Sequence, residues 1–244
     1  YTCIGILFVY IISIKFINKV IFCNYMHNTV KNLLYIKNNI KDHLNLSNID
    51  KLPKIIAVSK TFKIEKIKPL IDYGHIDFGE NKVQEAVEKW SEIKIKNEKI
   101  KLHMIGNLQT NKVKYAVKIF DYIHSVDTEK LAKKISEEKI KINKKIKIFI
   151  QVNIGNENQK SGVKKEKLES LVNYCKKLNL EVIGLMCIPP INEQPAFYFK
   201  KMIELNKDFS FSELSMGMSS DYITAIEHSA TYIRVGSSIF GERN

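Results

Sequence analysis

Short apolar runs rich in β-branched residues alternate with longer stretches of helical period along most of this chain. From Asn28 to Leu46, Val30, Leu33, Leu34, Ile40 and Leu44 recur close to a helical period, with Ile36 less regular, and the spacing predicts an opening helix. Ile55 to Val58 is an unbroken apolar run closed by Ser59 and Lys60. It predicts a strand buried on both faces, with Lys60 at its C-terminal end. The alternation then repeats. Further strands are predicted at Ile76 to Gly79, Leu102 to Ile105, Tyr122 to Val126, Ile146 to Val152, Val182 to Ile188, Glu213 to Met216 and Tyr232 to Val235. Helices are predicted over Ile64 to Tyr73, Asn81 to Ile93, Thr110 to Ile119, Thr128 to Ile140, Lys165 to Lys177, Ala196 to Asn206 and Asp221 to Glu227.

Eight strands alternating with helices favour an α/β fold closed into a single (β/α)8 TIM-type barrel, with one added N-terminal helix, over an open doubly wound sheet. No GxGxxG follows the first strand and no Gly-rich loop ends in GK[ST], which weighs against dinucleotide and ATP folds. In a barrel, chemistry collects where strands end and βα loops begin. The polar residues at those places are Ser59, Lys60, Glu80, Asn81, Asn107, Asn153, Ser215 through Ser219, Gly236 and Ser237.

Composition narrows the picture rather than changing it. The chain has 244 residues, 45% hydrophobic and 27% charged, as expected of one soluble domain. A formal net charge of +13 invites a nucleic-acid partner. Yet Lys63, Lys66 and Lys68, like Lys164, Lys165 and Lys167, fall in polar stretches that read as solvated helix faces without interleaved aromatics, so no specific nucleic-acid binding is expected. Cys3, Cys23, Cys175 and Cys187 show no CxxC pairing and no metal-ligand spacing, which points to free thiols and no metal site. Residues 1–23 form an apolar leader that is short for a membrane span, starts at Tyr1 and has no basic region before it. A targeting segment, an anchor and a misplaced start all fit it, and the barrel is assigned to residues 24–244.

Three features carry candidate chemistry. An amine directly after a buried strand sits in a partly desolvated barrel mouth, where burial disfavours its charged form, so Lys60 is a candidate for condensation with an aldehyde; a lysine merely reaching solvent fits the local pattern equally well. Ser215 to Asp221, and the turn at Gly236 to Ser238, place small residues in the last two βα loops, where phosphate sites commonly form. Arg234, one of very few arginines in a lysine-rich chain, suggests a need for a fixed, always charged donor, with a structural ion pair as the alternative. His103 and His228 belong to no nucleophile motif and read as structural.

Taken in order, AVSKT at Ala57 to Thr61, FGENKVQE at Phe78 to Glu85, HMIGNLQTNK at His103 to Lys112 and HSVD at His124 to Asp127 carry a family resemblance. So do KSGV at Lys160 to Val163, GLMCIP at Gly184 to Pro189, LSMGMSSD at Leu214 to Asp221 and RVGSSIFGER at Arg234 to Arg243. The series resembles the pyridoxal 5'-phosphate (PLP) homeostasis family, also called YggS or PROSC, which is related to the barrel domain of alanine racemase. The resemblance implies that Lys60 holds PLP as a Schiff base, that Asn81 lies near the cofactor ring, and that Ser219, Gly236 and Ser237 hold the phosphate. It further implies that Arg234 faces the pyridine nitrogen, leaving the ring a poor electron sink. Ser237 stands where many relatives have threonine and keeps the hydroxyl.

The function implied is a carrier or buffer of PLP without turnover of its own, with no catalytic residue assigned. A PLP-dependent racemase or decarboxylase is the alternative, with Tyr222 or Cys187 as its acid/base if either faces the pocket. A PLP-free barrel using Lys60 as an aldolase-like amine is a third. Expected partners are PLP and PLP-dependent apoenzymes. The chain is expected to be monomeric and cytoplasmic, with an organellar or membrane location only if the leader is real and retained.

Overall fold

The computed structural model describes residues 26–47, 52–157 and 159–242, and the leader lies outside them. Its elements are α1 (Asn28–Ser47), β1 (Lys54–Val58), α2 (Ile64–Asp72), β2 (Asp77–Glu80), α3 (Val83–Lys96), β3 (Lys101–Met104), a 3-10 turn (Thr110–Lys112), α4 (Val113–Ile119) and β4 (Tyr122–Val126). There follow α5 (Glu129–Lys141), β5 (Lys147–Gln151), α6 (Lys165–Lys177), β6 (Glu181–Met186), α7 (Pro195–Asp208), β7 (Glu213–Met218), α8 (Tyr222–Glu227), β8 (Tyr232–Val235) and α9 (Ser237–Phe240). The strands pair in parallel in sequence order, and β8 returns to β1 to close the barrel. Among the described residues no helix is long and apolar enough to cross a membrane.

Local chemistry sets the element ends. Thr128 caps α5 by accepting a hydrogen bond from the Leu131 N–H, and Pro195 opens α7 where its missing N–H costs nothing. The predicted helix over Thr110 to Ile119 begins instead as a 3-10 turn. The strand predicted to run to Ile188 ends at Met186, and the one predicted to stop at Met216 runs on to Met218. Helix α9 has only four residues, too few for a periodic signal, and the sequence pattern did not predict it.

Two apolar layers hold the fold. Outward strand residues such as Ile55, Ala57, Leu102 and Ile123 pack against the helices, and α1 buries Leu33, Ile36 and Ile40. Ile56, Tyr122, Phe149, Met186 and Tyr232 form the layer inside the barrel. That interior also holds the buried polar residues His103, His124, Ser215 and Arg234, where branched aliphatic side chains are usual.

Candidate functional site

The C-terminal ends of the strands open onto a cavity of about 720 Å3, and Lys60, Asn81, Ser219, Arg234, Gly236 and Ser237 all line it. Asn107 and Asn153, noted above as strand-terminal, line it as well. Ser59, Glu80 and Ser215 do not; they are fully buried behind it.

Lys60 lies on the turn just after β1, half-buried, and its two neighbours are tied down. Ser59 donates its N–H to Gly79 O at 2.9 Å and its hydroxyl to Glu80 Oε1 at 2.7 Å. Lys89 Nζ donates to Ser59 O at 2.9 Å, to Glu80 Oε1 at 3.0 Å and to Glu85 Oε1 at 2.8 Å. On the other side the Thr61 N–H donates to Glu85 Oε1 at 2.5 Å. Thr61 has φ +69°, a left-handed conformation that a β-branched residue adopts only under constraint. Trp90 Nε1 also donates to Glu80 Oε1, at 2.9 Å. Burial pushes the Glu80 carboxyl above its ordinary range, against the pull of Lys89, Trp90 and Ser59. The turn that presents Lys60 is therefore clamped from both sides.

Asn81 follows β2, and its Oδ1 is buried with no hydrogen-bond partner among the described residues. A Cβ at Gly106 would lie 2.4 Å from Asn81 O, so only glycine lets β3's loop pass this close. An orphaned acceptor beside an open cavity is a place for a ligand donor.

The last two loops meet at Ser219, whose Oγ accepts from the Gly236 N–H at 3.1 Å and the Ser238 N–H at 3.4 Å. The β7–β8 register shifts between Ser215 and Met218, an irregularity that brings these loops together. Gly217 sits at that shift with φ +89°. Hydroxyls of Ser219, Ser220 and Ser237 collect at this end of the cavity.

Arg234 reaches the cavity from inside the barrel. Its Nη1 donates to Ser215 Oγ at 2.7 Å and its Nη2 to Cys187 O at 2.9 Å. No carboxylate bonds to it among the described residues, so the ion-pair alternative does not describe it. Burial works against its charge, yet a guanidinium remains a cation at any ordinary pH.

Tyr222 and Cys187, the two possible acid/base residues, are buried away from the cavity, and burial pushes the Cys187 thiol up to about 12. Cys187 is a small, fully buried core residue. Sequence reasoning gave no site role to Gln151, Lys160 and Ser161, which line the cavity from β5 and the loop after it. Lys160 and Ser161 fall in the KSGV segment that carries the resemblance, but their residue types alone mark no site. Lys160 is ion-paired to Glu157 Oε2 at 2.7 Å.

Comparison with known proteins agrees with the barrel fold and gives the family. Residues 32–244 match the family model described as alanine racemase, N-terminal domain. A pyridoxal phosphate homeostasis protein of Aquifex aeolicus is 40% identical over 200 residues, covering 78% of this chain and 87% of the relative. The structure of PipY from Synechococcus elongatus, solved with PLP bound, superimposes with a TM-score of 0.73 at 31% identity, covering 83% of this chain and 100% of that one. An alanine racemase of Clostridium difficile, at 17% identity and a TM-score of 0.66 over 57% of its length, shares the fold. On the family match and these identities, the chain belongs to the alanine racemase N-terminal domain family and, within it, to the pyridoxal phosphate homeostasis proteins.

Proposed function

We propose that this chain binds PLP at the barrel mouth and carries or buffers it, with Lys60 as the covalent anchor. The observation that carries the reading is the convergence of an amine, an orphaned acceptor, a serine-rich cradle and a buried guanidinium on one cavity of suitable size. PLP supplies one reactive aldehyde on a phosphorylated pyridine ring, and each of those groups answers one part of it. The strand-end turn orients the Lys60 amine. Asn81 Oδ1 accepts a hydrogen bond from the ring substituents. Ser219, Ser237 and the backbone at Gly236 bind the phosphate, where a Cβ at residue 236 would meet Val58 Cβ at 3.4 Å. Arg234 donates to the pyridine nitrogen and, unable to give up its proton, keeps that nitrogen from gaining one.

Two features favour a carrier over a racemase or decarboxylase. A cationic partner at the ring pole supports carbanion chemistry poorly. The described residues lining the cavity include no tyrosine, histidine or cysteine, and the lining groups besides Lys60 that could exchange a proton are Lys160, ion-paired to Glu157, and Glu242. Reversible attachment then shields the aldehyde from stray amines and thiols until a PLP-dependent apoenzyme takes it. We place this work in the cytoplasm, with the chain as a monomer.

The test is to mix the PLP-loaded protein with an apoenzyme and follow that enzyme's recovered activity, while monitoring L-alanine and L-glutamate for racemisation and decarboxylation. Recovery without change in the amino acids is the expected result. Racemisation or decarboxylation that is lost in Lys60→Ala would establish an enzyme instead.

A further inference from the structure

A file of hydrogen bonds crosses the barrel interior beneath the cavity. His103 Nε2 lies 3.0 Å from Asp77 Oδ1, His103 Nδ1 lies 3.0 Å from His124 Nε2, and His124 Nδ1 lies 2.8 Å from Ser215 Oγ. Ser215 Oγ is in turn 2.7 Å from Arg234 Nη1. Both imidazoles and the serine are fully buried. His103 stacks on Tyr122 and His124 on Phe149, each with ring centroids 4.3 Å apart, so neither ring is free to swing out of the file.

The two ends fix the polarity. Arginine can only donate, and an ionised carboxylate can only accept. Burial works to raise the Asp77 carboxyl, but the bond from His103, with His75 and Lys54 nearby, outweighs it and holds Asp77 below its ordinary value. Burial holds both imidazoles below theirs, so each carries a single proton at neutral pH. Starting from Asp77, His103 must then carry its proton on Nε2 and leave Nδ1 bare. His124 must likewise protonate Nε2 to reach that bare nitrogen. Its own bare Nδ1 takes the Ser215 hydroxyl proton, which leaves a Ser215 lone pair for Arg234. No other assignment satisfies every link.

We propose that Asp77, His103, His124 and Ser215 are positioning residues for Arg234, forming a one-directional file of donors that holds the guanidinium at the cofactor ring, with Asp77 as its distant counter-ion. The proposal deepens the PLP assignment and rests on it only for what Arg234 faces. Every dipole in the file turns its lone pair toward Arg234 and its N–H or O–H toward Asp77, so a buried cation bonded to no carboxylate is compensated across the barrel. A packing role alone would need neither the polarity nor the carboxylate.

Side-chain nitrogen NMR of the full chain, selectively labelled at histidine and free of cofactor, tests this at pH 7. The His124 signals are assigned by their loss in His124→Phe, and those of His103 in His103→Phe. Both rings are expected as neutral Nε2–H tautomers with bare Nδ1; an imidazolium, or an Nδ1–H form in either ring, overturns the file. Asp77→Asn gives the end of the file a group that donates as well as accepts. His124, two links away, is then expected to show mixed tautomers, and an unchanged His124 contradicts the coupling. Ser215→Ala is expected to weaken PLP binding on the order of tenfold, the loss of one bond to a charged group; unchanged affinity contradicts the positioning role. Should the wild-type chain take up no PLP, the proposed function falls while the tautomers still judge the file.

Discussion

Lysine is an ordinary residue in this chain, and what distinguishes Lys60 is the pair of residues around it. Its place after an apolar strand was legible in the sequence; the clamp was not, because Lys89, Glu85 and Glu80 lie on other elements and meet the turn only in three dimensions. Lys89→Met removes the one cation that, among the described residues, is bonded to buried Glu80, so we expect a stability loss of about 3 kcal/mol in urea unfolding. Arg234 was equally legible as a residue type and illegible as a geometry. Arg234→Lys keeps the charge but cannot span both Ser215 Oγ and Cys187 O. It should cost roughly 1–3 kcal/mol by the same assay. In the sequence His103 reads as structural because it belongs to no nucleophile motif; its partners, Asp77 and His124, sit on neighbouring strands at positions that no local pattern connects.

At the scale of elements, the alternation of short strand-like runs and helical periods located all eight strands; the apolar run of β1 follows from burial on both faces, while β2 and β7, with polar residues inside, were placed by the repeat of the alternation. The missed element is α9, which carries the cradle's backbone at Gly236 to Ser238. Its position depends on the irregular end of β7. There Gly217 has φ +89°, and an added Cβ would come within 2.6 Å of Ala225 Cβ. Gly217→Ala is therefore expected to destabilise the barrel by about 1–3 kcal/mol and to weaken PLP binding more than a stability change alone predicts, since Ser219 is two residues away. Thermal unfolding of the free protein and a PLP titration at low temperature separate the two effects. The loop after β5, with Lys160 and Ser161, contributed to the cavity without announcing itself because its polar residues look like any solvated loop.

For the whole molecule, the barrel puts its chemistry at one end and buried titratable groups through its middle, and this has a consequence in pH. Burial lowers His75 from 6.5 to about 4, against the raising effect of Asp77. His103 and His124 are lowered as well, by burial first. Between these folded values and the ordinary value near 6.5, the unfolded chain binds protons that the folded chain does not. Stability is therefore full above about pH 6.5 and declines as pH falls toward 4. For His75 alone the loss between pH 7 and 5 amounts to about 2 kcal/mol. Urea midpoints at the two pH values, in the wild type and in His75→Gln, check this: the variant should show the smaller drop.

The central claim is that Lys60 anchors PLP in this barrel, and one measurement bears on it most directly. The purified chain, incubated with PLP, is scanned for the absorbance of a lysine adduct, reduced with borohydride, digested and mapped by mass spectrometry. A reduced adduct on the peptide containing Lys60, absent in a folded Lys60→Ala protein, is the predicted result. No band after incubation, or an adduct mapping wholly to other lysines while Lys60 stays unmodified, would contradict the account.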